Sequence, residues 1–179
     1  MKVIIFIKEL NIYFLNHIIN KIPFYMVRKF FYKIFLNQIG INTFVSLNVK
    51  FLNPKNIILG NNTIIGYDSI IDGRGAKVVI GDNVDVSAQT NIWTLDHNPN
   101  SETHSNRAGQ VTIENHCWLA TRVTVLPNVK IKKGTVVASN AVITKDTDEL
   151  NIMAGNPAKK IGNRKNNLNY KLNYFPRFK

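Results

Sequence analysis

Aliphatic residues recur at every sixth position through most of this chain. Of the fifteen positions that this period selects, fourteen are Ile, Leu or Val, and Asn53 is the one polar residue. The positions are Ile41, Leu47, Asn53, Leu59, Ile65, Ile71, Ile80, Val86, Ile92, Ile113, Leu119, Val125, Ile131, Val137 and Ile143. Steps of six rotate around a helix by about 600° and would scatter these residues over all its sides, so the period excludes an α-helix here.

A second set of small or β-branched residues follows the aliphatic positions by four places. Its members are Thr63, Ser69, Val84, Thr90, Cys117, Val123, Val129, Thr135 and Ala141, whereas Phe51 and Asp96 break the rule. Gly, Asn and Asp collect between these positions, at 60–62 and 81–83 for example, where left-handed or turn backbone is least costly. Each hexapeptide therefore predicts a short strand and a corner, and stacked units predict a solenoid with a continuous core.

The spacing of the repeat predicts three such units in each coil. Ile41 and Leu59 are 18 residues apart, which is one coil of three hexapeptides. Two intervals are longer. Ile71 to Ile80 is nine residues, three too many, and Ile92 to Ile113 is 21, three more than one coil. We expect both extra segments to bulge outward as loops.

Three segments of the chain carry a resemblance to a known family. The segments 113–120 (IENHCWLA), 144–146 (TKD) and 154–159 (AGNPAK) resemble those of the hexapeptide-repeat acyltransferases, especially the maltose/galactoside and exopolysaccharide O-acetyltransferase branch. The resemblance covers roughly residues 38–163. It implies a mainly β fold, a left-handed parallel β-helix of about five coils with N-terminal α-helices and an extended insertion loop. The handedness comes from the resemblance alone, since general crossover rules favour the right-handed path.

The same resemblance implies a homotrimer that uses acetyl-CoA as co-substrate, in a cleft between neighbouring subunits, without a metal ion. Composition adds limits of its own. The chain has room for one domain with a substantial core. Its single cysteine, Cys117, excludes a disulfide framework within the chain and favours a reducing compartment, and its inward repeat position predicts a core thiol.

Charge divides the chain into three segments. The predicted divisions are amphipathic helices at 1–40, the β-helix at 41–158 and a basic tail at 159–179. The first segment has six basic residues and one acid, and the tail has seven basic residues and no acid, so the body is neutral within a net charge of +12. Nucleic acid is not expected as a partner, because the body is uncharged and the aromatic residues of the tail follow no known binding motif.

The N-terminal segment predicts two helices, about 3–21 and 24–37, divided by Pro23. Lys8 and Glu9 interrupt the first apolar run after five residues, so we expect it to be too short and too charged to span a membrane. The helices either cap the open end of the β-helix or contact an anionic membrane surface through residues 1–37, and one face can do each. The expected location is the cytoplasm, at the inner face of the cytoplasmic membrane if that contact is made.

Acyl transfer to a hydroxyl needs a base for the hydroxyl proton and donors for the oxyanion. Histidine is the usual base near neutral pH, and the chain has His17, His97, His104 and His116. In the family, the catalytic histidine stands where the chain leaves a strand for the long insertion, which is the place of His97. Asp72 begins the first insertion one coil earlier and is expected to support the ring or bind the acceptor; Asp96 competes for that role.

The resemblance also assigns a set of cofactor-binding positions. Trp118 matches an aromatic residue at the thioester end of the pantetheine channel. Two small pairs, Ala120 with Thr121 and Ala138 with Ser139, match positions beside the pantetheine arm. Thr144 and Lys145 match residues near the adenosine and phosphates of CoA. Lys159 takes a place that Arg often holds, which keeps the charge for a phosphate but loses the bidentate geometry, and Arg164 is a candidate to compensate for that loss.

The predicted function is therefore O-acetyl transfer from acetyl-CoA to a sugar or glycolipid, in surface polysaccharide or lipopolysaccharide biosynthesis. Three alternatives remain at this point. They are N-acetylation of an amino sugar or other small amine, a zinc-dependent carbonic-anhydrase-like enzyme, and a non-catalytic β-helix scaffold. Sequence alone does not choose the acceptor.

Overall fold

Two helices precede a β-helix in the computed structural model, which describes residues 2–176. Helix α1 runs over Lys2–His17, a 3-10 helix over Ile19–Lys21 and helix α2 over Tyr25–Phe35. Both predicted helices are present, and Pro23 lies between them. Met1 and residues 177–179, the ends of the predicted first and last segments, lie outside the described residues.

The body is a prism of three parallel sheets. The first face contains β1 (Gln38–Ile39), β4 (Ile57–Leu59), β7 (Val78–Ile80), β12 (Val111–Ile113) and β15 (Lys130–Ile131). The second contains β2 (Phe44–Val45), β5 (Ile64–Ile65), β8 (Asp85–Val86), β13 (Trp118–Leu119), β16 (Val136–Val137) and β18 (Asn151–Gly155), with β19 (Ala158–Asn163) antiparallel at its end. The third contains β3 (Lys50–Leu52), β6 (Ile70–Asp72), β9 (Asn91–Ile92), β14 (Thr124–Val125) and β17 (Val142–Ile143). These are five complete coils and the start of a sixth, so the predicted fold class is confirmed.

The core is the column of side chains inside the prism. From Leu59 onward, every aliphatic residue of the six-residue period is buried, and so is every small or β-branched residue of the second set. Asparagine occupies many corners with positive φ, such as Asn62 and Asn140, because it tolerates the left-handed backbone that the corner requires. Strands of only two or three residues suffice because each backbone group finds its partner in the coil above or below.

The first coil has a different register from the predicted one. Ile39 pairs with Leu59 and Val45 pairs with Ile65, so the first coil is 20 residues long and the predicted spacing of 18 is wrong there. Ile41 is 75% exposed, and Asn53 is a left-handed corner residue rather than an inward one. The two extra residues are accommodated by a 3-10 helix at Pro54–Asn56.

The second insertion contains no additional coil. Ile113 pairs with Ile80, so the interval from Ile92 to Ile113 is one side of a coil plus a long excursion, and the prediction of a coil plus three residues is wrong. The excursion is an antiparallel hairpin of β10 (Leu95–His97) and β11 (Asn106–Ala108). Both insertions leave the prism outward as expected, and they meet where the Gly75 amide donates to Thr94 Oγ1 at 3.1 Å.

Three edges separate the faces, and each is named here after one residue. The His116 edge joins the first face to the second, the Ala120 edge joins the second to the third, and the His97 edge joins the third to the first. The segment after β19 runs back along the His116 edge. Arg164 donates to the His116 carbonyl at 2.7 Å, the Leu172 amide donates to Asn83 Oδ1 at 3.2 Å, and the ring of Phe175 contacts that of Phe44 in the first coil.

The helices cover the open end of the first coil. Asn16 pairs with both backbone groups of Phe51, and the Arg28 guanidinium donates to the Val45 carbonyl at 3.0 Å. Capping, one of the two predicted roles of this segment, is therefore present. By length and composition, Val3–Lys21 is also apolar enough to cross a membrane, contrary to our expectation, although such a helix is weak evidence for a span.

Candidate active site

His97 is the last residue of β10 and stands on the exposed hairpin at the His97 edge. Its Nδ1 lies 3.1 Å from the main-chain carbonyl oxygen of His104. A carbonyl oxygen can only accept a hydrogen bond, so Nδ1 carries the hydrogen in the neutral ring and Nε2 keeps its lone pair. The contact therefore selects the tautomer that a general base needs.

The side chain of His104 covers one side of the His97 ring. The ring centroids are 3.8 Å apart and the planes are inclined by 16°, so the rings are stacked. His104 has a positive φ of 52°, and Ser101 Oγ accepts from the Ser105 amide at 2.9 Å, which organises the turn that presents the carbonyl. The stack and the turn together hold the His97 ring against the hairpin.

Asp72 is completely buried at the end of β6 and is paired with Arg74. Its Oδ1 accepts from the Arg74 amide at 3.0 Å and from Arg74 Nε at 2.9 Å, while its main-chain carbonyl accepts from Thr94 Oγ1 at 2.6 Å. Strand pairing places Ile71 beside Ile92, so Asp72 lies at the base of the hairpin, alongside Trp93, rather than beneath His97. Asp72 is therefore positioned to brace the hairpin that carries His97.

Asp96, the competing candidate, forms a two-pronged ion pair with Arg107 on the opposite strand of the hairpin. The distances are 2.8 Å from Nε to Oδ1 and 2.6 Å from Nη2 to Oδ2. The hydrogen bonds from Arg107 lower the pKa of Asp96 below its usual value. Within residues 2–176, neither carboxylate accepts from His97 Nδ1, and the carbonyl of His104 takes that role.

Trp118 lies on the outer side of the second face and is 44% exposed. Its Nε1 donates to Ser87 Oγ at 3.3 Å, and strand pairing places Asp85 beside it. Burial raises the pKa of the Asp85 carboxyl. Asp85 and Ser87 also line a cleft with Tyr174 of the C-terminal segment. The indole edge is thus held in place while part of the ring remains accessible.

The predicted pantetheine positions form a column along the Ala120 edge. Ala120 and Ala138 each follow a strand of the second face, one coil apart, and the Ala120 amide donates to the Val137 carbonyl at 2.9 Å. Gly66 and Ser87 continue the column in the lower coils through the same kind of backbone bond. Thr121 is half-buried and Ser139 is exposed beside this column. The side chains along this column are small.

The other predicted cofactor residues lie elsewhere. Thr144 and Lys145 are exposed on the His97 edge, beyond β17, and Lys159 is exposed on β19. The guanidinium of Arg164 donates to the carbonyls of His116 and Gly134 and lies over the Tyr170 ring. A single chain therefore brings together Trp118 and the small pairs, but not these residues with Lys145.

The cysteine and two further histidines of the chain make contacts within the fold. Cys117 is a buried core thiol, as expected, and burial raises its pKa to about 12. His116 is partly covered by the ring of Tyr170, and burial lowers its pKa. His17 stacks on Tyr13 of α1. Among residues 2–176, no group of three His, Cys, Asp or Glu side chains is arranged to hold a metal ion.

Known proteins share both this sequence and this fold. Residues 110–145 match the family model described as bacterial transferase hexapeptide (six repeats). A protein of Escherichia coli (strain K12), provisionally named colanic acid biosynthesis acetyltransferase WcaF, is 31% identical over 134 residues, which are 75% of this chain and 73% of that protein. This chain belongs to the hexapeptide-repeat acetyltransferases.

Two further members extend the similarity. The galactoside O-acetyltransferase of Escherichia coli (strain K12) is 29% identical over 145 residues, covering 79% of this chain and 70% of that protein. A hexapeptide-repeat acetyltransferase of Vibrio cholerae O1 biovar eltor, solved with acetyl coenzyme A, superposes with a TM-score of 0.81 at 23% identity, over 87% of this chain and 86% of that one. The second likeness concerns the fold alone.

Sequence reasoning did not single out three residues that shape the site in this hexapeptide-repeat acetyltransferase. His104 supplies the carbonyl and the stacked ring, Arg107 binds Asp96 across the hairpin, and Asp85 lies beside Trp118. Recognising that residues 95–97 pair with 106–108 would have pointed to His104 and Arg107. The insertion was treated as a loop, and so this pairing was missed.

Proposed function

We propose that the protein transfers the acetyl group of acetyl-CoA to a hydroxyl of a sugar, with His97 as general base, in the assembly of a surface polysaccharide or lipopolysaccharide. The observation that carries the proposal is the contact between His97 Nδ1 and the carbonyl oxygen of His104. In the neutral ring this contact puts the hydrogen on Nδ1 and leaves the lone pair of Nε2 free, on a residue that is exposed. The names of the two similar Escherichia coli proteins support an acetyl donor and a sugar acceptor.

The reaction then follows from the state of the ring. Nε2 of His97 removes the hydroxyl proton as the oxygen attacks the thioester carbonyl, and the resulting imidazolium is stabilised by the hydrogen bond from Nδ1 to the carbonyl. The tetrahedral intermediate collapses, the carbon–sulfur bond breaks, and the imidazolium returns its proton to the CoA thiolate. Asp72 holds the base of the hairpin through Arg74 and Thr94 and acts as a positioning residue.

The placement of the residues supports a site between two copies of the chain. Trp118 lies on the second face, whereas His97 leaves from the far end of the third face, so a whole side of the prism separates them. One side is about six residues long, or up to about 20 Å. A homotrimer that brings the Ala120 edge of one copy to the His97 edge of the next would join both halves around one thioester. A reducing cytoplasm suits the single buried thiol.

The direct test follows the release of CoA thiol from acetyl-CoA with a panel of hexoses, amino sugars and glycolipid precursors. We expect acceptor-dependent release, at least about 100-fold slower in His97→Ala because the general base is lost. His104→Asn is the matched control, because it keeps the main-chain carbonyl and tolerates positive φ; it should lose far less activity. Equal rates in wild type and His97→Ala would refute the assignment. Turnover of amines but not of hydroxyls would indicate N-acetylation.

Mixed oligomers test the site between copies. His97→Ala and Trp118→Ala chains are each expected to be impaired, and they are co-expressed to form mixed assemblies. If one site takes His97 from one copy and Trp118 from the next, the mixture recovers activity above either parent. No recovery in assemblies shown by mass to be mixed would place the whole site within one chain.

A further inference from the structure

The first turns of α1 expose apolar side chains in every direction. Val3, Ile4, Ile5, Phe6 and Ile7 are consecutive, and each is between 50% and 73% exposed. Successive helical residues are about 100° apart, so these five encircle the helix axis rather than form one stripe. A protein partner that packs against one side would leave the other side in water.

Helix α2 buries polar groups on its inward side and exposes large apolar side chains on its outward side. Tyr25, Arg28 and Tyr32 are buried, and the Tyr32 hydroxyl donates to Oδ1 of Asn20 in the 3-10 helix at 2.9 Å. On the outside, Met26 is 76% exposed and Phe30 is 62% exposed. The outward side therefore exposes large apolar side chains, unlike the outward side of a helix that packs on a core and faces water.

Basic residues accompany these exposed apolar groups. Lys8, Lys21 and Lys33 are exposed and Lys29 is half-exposed, whereas Glu9 is the single acid in residues 1–40. Aromatic and aliphatic side chains beside lysines are the composition of helices that lie in the interface of a membrane with anionic lipids. The charge favours a negative surface over a second copy of this segment, which carries the same positive charge.

We propose that residues 3–13 of α1 and the outward side of α2 lie in the interface of an anionic lipid bilayer. Spanning is not possible for the free part of α1, because its C-terminal end is packed on the first coil through Leu15 and Asn16. The remaining residues reach less than about 20 Å, against about 30 Å of hydrocarbon. The polar inward groups hold the helices on the β-helix, and the apolar outward groups hold the β-helix at the membrane.

Flotation of the full-length protein with phosphatidylcholine vesicles, with and without phosphatidylglycerol, tests the proposal. Wild type should float with the anionic vesicles, and added salt should weaken binding through screening. The double variant Phe6→Ser/Phe30→Ser should bind at least about tenfold more weakly, because two exposed aromatic side chains no longer enter the lipid. Ile161→Ser, which removes a 66% exposed apolar residue from β19 beyond the last coil, is the matched control and should bind like wild type.

Several outcomes would overturn the proposal. They are equal flotation of wild type and the double variant, equal binding to both kinds of vesicle, and resistance of the bound protein to alkaline extraction, which would mean a spanning helix. A change in lipid-free mass in the double variant without vesicle binding by wild type would mean that a second copy covers these residues. Unchanged thermal melting of the double variant excludes misfolding. Vesicle binding is independent of the acceptor, so failure of the acetylation assay leaves it intact.

Discussion

The coils of the β-helix bury mainly aliphatic side chains, whereas the N-terminal segment also buries large polar ones against the first coil. Inside the prism, Leu119 and its aliphatic neighbours are sealed from water, and the backbone satisfies itself between coils. Beneath the first coil, Asn16 and Asn20 are buried and hydrogen-bonded, while Ile4 and Phe6 are in solvent. A solenoid ends in strands with unpaired carbonyls and amides, so the element that covers the end must present polar groups inward. The apolar side chains that the helices expose to solvent are then available to contact another surface.

The largest effect is expected from a cavity in the coils. Leu119→Ala removes a fully buried side chain from the middle of the aliphatic column and should lower the free energy of unfolding by about 3 kcal/mol. Ile4→Ala, at a 73% exposed position, should change it by less than about 0.5 kcal/mol in lipid-free buffer. Urea unfolding at one protein concentration measures both. A comparable loss in the two variants would mean that α1 is buried in the assembled protein.

A smaller loss is expected from the amide contacts that attach the helices. Asn16 Oδ1 accepts from the Phe51 amide and its Nδ2 donates to the Phe51 carbonyl, both at 2.9 Å. Asn16→Ala leaves the buried amide and carbonyl of Phe51 without these hydrogen-bond partners and should lower the free energy of unfolding by about 2 kcal/mol. Asn11→Ala, an exposed asparagine on the same helix, is the control. Equal stability of the two variants would contradict the idea that polar contacts hold the helices on the first coil.

The smallest effect concerns pH and the His116 edge. Burial, with Lys133 and Arg164 nearby and only Asp82 opposing them, lowers the pKa of His116. The folded protein therefore resists protonation of this ring, and stability that is complete above about pH 6.5 declines as the pH falls through the unfolded-state pKa. His116→Asn, which suits the positive φ of 61°, should flatten that decline in melting temperature. A profile identical to that of wild type would show that this ring does not contribute.

Much of the fold followed from the chain alone. A six-residue period of aliphatic side chains is compatible with burial only if each unit turns a corner, so the solenoid and its inward residues from Leu59 onward could be predicted. The first coil could not, because Ile39 and Ile41 are equally aliphatic and only pairing with Leu59 shows which one faces inward. The hairpin at 95–108 could not be predicted for the same reason, since a repeat period does not show which strands pair with each other.

For the candidate site, the sequence supplied positions but not the contacts of their side chains, and the assigned roles stay predictions. The position of His97 came from the resemblance at a strand exit, but its acceptor is a main-chain carbonyl, which every residue has, so no side-chain pattern could identify His104. Asp72 was predicted to lie one coil before His97, and β6 does lie one coil before β9, but the carboxylate of Asp72 is buried against Arg74, a contact that the repeat pattern does not show.

By itself, the sequence determined that this protein is a solenoid with basic, apolar helices at one end and a histidine at the exit of its third face. Only the tertiary structure decided which side of those helices faces inward. Both sides of α2 contain large apolar or aromatic residues, and the choice rests on buried hydrogen bonds that Tyr25 and Arg28 can make to the first coil and that Met26 and Phe30 cannot. Burying a polar group is favourable only where it finds a hydrogen-bond partner, and the folded coil determines where those partners lie.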